Sequence, residues 1–196
     1  MPIRFAAPPR NGETLVRAGI GKLAARNSPR DAALTDTLAL QLNPPHAVYD
    51  LRADSLARGE GLASSRQTAF RYLVSKDSGP VAAAEVQADP EGIADLLANI
   101  NQGPYVEASA RALDQVQQLP SVQQGRYEAR LLRCSAIYLV ALWLKPEDTG
   151  SDIIYPLAPA PPGLQAEQPY SVDDFLKIVV PLAQERVATS EPPKVP

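Results

Sequence analysis

A chain of 196 residues, 45% hydrophobic and 21% charged, has the length of one domain with its own core and is too apolar to be disordered throughout. Its one cysteine, Cys134, excludes an intrachain disulfide and fits a reducing compartment, and its longest apolar run, Ala136 to Leu144, is far shorter than the roughly 20 residues a membrane-spanning helix needs. A net charge of −3 argues against a general nucleic-acid binder.

Asn11 to Arg26 carries Leu15, Ile20 and Leu23 at helical spacing, against the weakening effect of Gly19 and Gly21. Ser28-Pro29-Arg30-Asp31 has the signature of a second helix start, with Leu34 and Leu38 inside and Pro44-Pro45 beyond its end. Ala47 to Leu51 is expected to be extended after the prolines, and Arg58 to Ser65 to be a loop. Thr68 to Val74 alternates, with Phe70, Tyr72 and Val74 on one side and Arg71 on the other. Lys76-Asp77-Ser78-Gly79 turns the chain and Val81 to Val86 returns, which predicts a hairpin.

Asp89-Pro90-Glu91 then resembles a helix N-terminus, followed by Ile93, Leu96, Leu97 and Ile100 at i, i+3, i+4, i+7. Another helix is expected with Tyr105, Ala112, Val116 and Leu119 inward. Tyr127 to Lys145 suits two strands dividing near Cys134-Ser135, with a helix as the alternative; Asp152 to Leu157 is the returning partner. The proline-rich stretch Pro156 to Pro162 is a connector, Ser171 and Asp174 form a capping box for a last helix kinked at Pro181, and Thr189 to Pro196 is a frayed tail.

Few residues carry recognisable chemistry. The lone His46 reads as an exposed loop histidine and Cys134 as a buried structural thiol. One His and one Cys cannot supply the three or four soft ligands of a zinc site, so no metal and no cofactor is called for. Glu147 to Asp152 lacks the ligand order of a calcium loop and reads as a solvated turn. Gly19-Ile20-Gly21-Lys22-Leu23-Ala24 matches a dinucleotide fingerprint only formally, because Arg17 interrupts the strand it requires and Ser28-Pro29 stops its helix. Arg4, Arg10, Arg17, Lys22, Arg26 and Arg30 stand against Glu13 alone at the start of the chain, a solvated helix surface rather than a transit peptide or anionic-surface patch. The remaining candidates are charges and rings on the expected sheet: Arg71, Tyr72, Glu85, Tyr127, Glu128 and Arg130, beside Trp143. If they converge, they line a polar ligand patch with aromatic walls; the competing reading is an ordinary solvated sheet face with cross-strand ion pairs.

The pattern predicts an α+β fold with a mostly antiparallel sheet of five or six strands, helices packed against it and the order ααβββααβββα. One domain over residues 1–188 and a tail over 189–196 are expected, in a cytoplasmic protein whose arginine excess over lysine reflects a GC-rich bacterial genome. Its expected function is a non-catalytic module binding a protein partner or small ligand, without nucleic acid or a membrane span. The alternative is an enzyme that uses carboxylate, tyrosine and arginine chemistry.

Overall fold

The computed structural model describes residues 2–26, 28–77 and 79–190. In chain order the elements are β1 (Ile3–Arg4), α1 (Gly12–Ala25), a 3₁₀ turn at Pro29–Leu34, β2 (Gln41–Leu42), β3 (His46–Asp50), α2 (Ala53–Ala57), a 3₁₀ turn at Gly61–Ser64, β4 (Arg66–Lys76), β5 (Gly79–Ala88) and β6 (Ala94–Asn101). There follow α3 (Pro104–Val116), α4 (Pro120–Gln123), β7 (Tyr127–Cys134), a 3₁₀ turn at Ser135–Ile137, β8 (Leu139–Pro146), β9 (Ile153–Pro156), β10 (Tyr170–Ser171) and α5 (Val172–Ser190). Among the described residues all the strands join one ten-stranded sheet, ordered β10-β9-β8-β7-β3-β4-β5-β6, with β1 added to β7 and β2 to β4.

This corrects the expected sheet of five or six mostly antiparallel strands and the order ααβββααβββα. The sheet is mixed: β7 runs parallel to β3, with Val48 opposite Leu131, and parallel to β1, with Ile3 opposite Tyr127. Neighbour-to-neighbour hairpin reasoning joins strands that are close in sequence and does not reach a pairing between residues 47–50 and 130–133. The two-residue strands β1, β2 and β10 are too short to leave a period in the sequence.

The largest local correction is β6. The segment read as the clearest helix is a strand paired antiparallel to β5, and its register shifts twice, leaving Asp95 and Ala98 as extra residues. Each bulge moves the alternation by one position. Leu97 and Ile100, three apart, therefore both reach Gly19 of α1, and a bulged strand presents the spacing of a helix. Asp89 does not cap a helix; its side chain accepts hydrogen bonds from the backbone N–H groups of Glu91 and Ile93, both at 2.9 Å, and closes a turn. The Ser28 signature leads into a 3₁₀ turn rather than an α-helix, and Leu38 beyond it is exposed.

Other expectations hold in outline. α1, the hairpin of β4 and β5, α3, and the strands β7 and β8 on either side of Cys134 lie where the periodicity placed them. The capping box at α5 is present: Ser171 Oγ donates to Asp174 and accepts from its backbone N–H at 3.1 Å. α5 continues through Ser190, and the remainder of the expected tail, residues 191–196, lies outside the described residues. No helix among the described residues is long and apolar enough to cross a membrane.

Two faces of the sheet are covered differently. On one, α1 packs Val16 and Ile20 against Tyr72, Val74, Ala84 and Val86, while α5 packs Phe175, Val179 and Ala183 against Leu132, Ala141, Trp143 and Ile154. The other carries α3, whose Ala108, Ala112 and Val116 meet Leu131, Leu142, Leu144 and Tyr155. At the start of β3 the sheet forks, since β1 continues that column along β7 and β2 continues it along β4.

Candidate functional site

Charged side chains inside the sheet form two groups on opposite faces. On the face under α3, register places His46, Arg71 and Glu85 side by side across β3, β4 and β5. Glu85 receives Arg133 Nη1 at 2.8 Å and has Arg71 Nη1 at 3.6 Å. Arg133 also donates to both oxygens of Asp50, at 2.8 and 3.1 Å, and Thr68 donates to Asp50 at 2.6 Å. The result is an alternating line Asp50–Arg133–Glu85–Arg71 running from half-exposed to buried, with Glu85 and Arg71 both under 5% exposed. Burial works to raise the Asp50 pKa, but the hydrogen bonds from Arg133 and Thr68 outweigh it and hold the carboxyl below its usual value. Burial is also the main force lowering the Arg71 pKa, opposed by the Glu85 charge.

His46 is not the exposed loop residue the sequence suggested. It opens β3 at 3% exposure, with the Phe5 ring edge-on at 5.1 Å between centroids. Desolvation lowers its pKa to about 4, so the imidazole is neutral at physiological pH. Cys134 is buried, and burial raises its thiol pKa. It is neither an accessible nor an activated nucleophile.

On the opposite face, in the strip between α1 and α5, the Arg130 guanidinium lies 4.7 Å from the Tyr49 ring centroid and 5.0 Å from that of Trp143. Arg130 Nε donates to Glu128 at 2.6 Å, and Lys145 Nζ stands 6.0 Å from the Trp143 ring. The indole N–H of Trp143 is buried without a partner. Arg130 is thus held by two rings and one carboxylate, a preorganised cation on an aromatic platform.

The six residues singled out from sequence do not meet at one site. Arg71 and Glu85 belong to the buried line; Glu128 and Arg130 belong to the platform. Tyr72 is buried against α1 and Tyr127 lies in the core under α3. Sequence reasoning missed Asp50, Arg133 and Tyr49. Tyr49 and Asp50 sit on a strand too short to show its faces, and Arg133 reaches a residue 83 positions upstream. Among the described residues no group of three or more His, Cys, Asp or Glu is placed to hold a metal ion. The α1 glycines lie within one continuous helix, so the formal dinucleotide fingerprint has no strand-to-helix turn. No family model, curated protein or solved structure matches this chain.

Proposed function

We propose that the protein is a non-catalytic binding module for a protein partner or small ligand, with Arg130, held against the Tyr49 ring and the buried Trp143 ring, as its contact residue. The observation that carries this reading is the Arg130 guanidinium stacked between the two rings at 4.7 and 5.0 Å. An arginine already fixed in this way loses little rotamer freedom on binding, and Arg, Tyr and Trp supply most of the energy of recognition surfaces. Its guanidinium offers donors only, which favours an occupant rich in acceptors.

The enzyme reading requires Glu85 and Glu128 to work around one pocket. They lie on opposite faces, and each is ion-paired with arginine. That geometry suits fixed scaffolding charges better than a general acid and base, which work as neighbours.

Trp143 is the only tryptophan and its ring supports Arg130, so its emission reports on changes at Arg130. Pull-down from the native cell should yield a stoichiometric partner, or a ligand screen should yield a compound that shifts Trp143 emission. Arg130→Ala should stay folded in urea melts yet weaken binding at least tenfold, the effect of removing a recognition anchor worth roughly 2 kcal/mol. Turnover of a metabolite pool without any partner, abolished by Glu85→Gln, would overturn the binding-module reading.

A further inference from the structure

At the fork of the sheet lie polar atoms that the platform does not use. His46 and Arg71 are 3% and 4% exposed, and three of their nitrogens, His46 Nε2 and Arg71 Nε and Nη2, have no hydrogen-bond partner within the protein. Both residues line a hollow of ≈ 10 Å³ together with Ser109 and the apolar side chains of Leu73, Leu131, Leu142 and Leu157. A buried guanidinium with donors unanswered is costly, so the hollow favours an occupant. Its volume admits about one molecule the size of water.

The lining chemistry selects among small occupants. Arg71 offers donors only. The His46 ring is hydrogen-bonded to the Arg71 backbone carbonyl, which leaves Nε2 of the neutral imidazole as an acceptor. Ser109 Oγ donates to the Tyr105 carbonyl and keeps lone pairs of its own. A fitting occupant accepts from Arg71 and donates to His46 and Ser109, whereas a halide ion does only the first. Nor does local charge call for an anion, since Arg71 and Arg133 are balanced by Glu85 and Asp50.

We propose that this niche is a binding site for one neutral, water-sized molecule that both donates and accepts hydrogen bonds, water itself, joining β3, β4 and α3 across the fork. Crystals of the full chain grown with bromide should show one ordered oxygen within reach of His46 Nε2 and Arg71, and no anomalous bromide signal there. In solution, ¹⁷O relaxation dispersion should count one fewer long-lived water in Ser109→Val, whose added methyls fill the hollow. Bromide in the niche overturns the proposal, as does a niche without density or a folded Ser109→Val with an unchanged water count. Should Ser109→Val fail to fold, the wild-type crystal decides alone, because oxygen, bromide and no density are its three outcomes.

Discussion

Glu85 is the carboxylate that faces Arg71, at 3.6 Å, whereas Arg133 holds both Glu85 and Asp50, each at 2.8 Å. The line is therefore asymmetric. Glu85→Gln leaves Arg71 charged, buried and unpaired, and should cost about 3–5 kcal/mol. Arg71→Met leaves Glu85 its bond from Arg133 and should cost less. Urea melts of the two variants check that ranking, and the reverse order would show that Arg71 does not depend on Glu85. His46 sets a separate pH dependence. Its native pKa of about 4 lies below the ordinary histidine value of 6.5, so the folded state binds its proton more weakly than the unfolded state. Stability from this group is complete above pH 6.5 and falls as pH drops toward 4, by roughly 3 kcal/mol in all. Melts at pH 7, 5 and 4 should follow that course in the wild type, and His46→Gln should flatten it over this window.

Among the elements, α1 and β6 show how a close approach can be written in glycine. A Cβ on Gly19 would fall 2.2 Å from Leu97 Cδ2, while a Cβ on Gly21 meets nothing within 4 Å. Gly21→Ala should gain most of the helix-propensity difference, about 1 kcal/mol. Gly19→Ala should lose that gain because Leu97 must move, and thermal melts of the pair separate the two effects. The same contact explains why β6 was illegible. Of the four apolar positions at helical spacing Leu97 and Ile100 do face α1 while Leu96 is exposed, and the bulges at Asp95 and Ala98 gave a strand the period of a helix. β8 was legible for the opposite reason: an apolar run bounded by turn residues suits a strand covered on both faces, and α5 and α3 cover it.

For the molecule as a whole, Trp143 lies where the two halves of its design meet. At 5% exposure it packs with Leu132, Ile154 and Phe175 while its ring also supports Arg130. Trp143→Ala should cost roughly 3–5 kcal/mol in denaturant melts, and a loss under about 1 kcal/mol would place the ring outside the core. The sequence made the residue types of the platform visible, because charges within apolar strands stand out. Their grouping was not visible, since it depends on sheet registers that no local spacing encodes: β3 bears Tyr49 and Asp50 on opposite faces, and each finds its arginine on β7.

β7 fills the middle of the sheet but is made late. By the time Asn101 has been synthesised, β3 to β6 and α1 are all present and can close their own apolar cluster. The far edge of β3, residues 46–50, must still wait for 127–134. At bacterial to eukaryotic translation rates that interval is on the order of a few seconds, during which an open strand edge is presented to the crowded surface of the polysome. Neighbouring nascent chains carry the same β7 sequence, and one that has advanced further can supply it. The parallel β3–β7 pairing should thus make the yield of correctly paired chain depend on ribosome spacing and chaperone access, a cost set by the topology and independent of the stability of the finished fold.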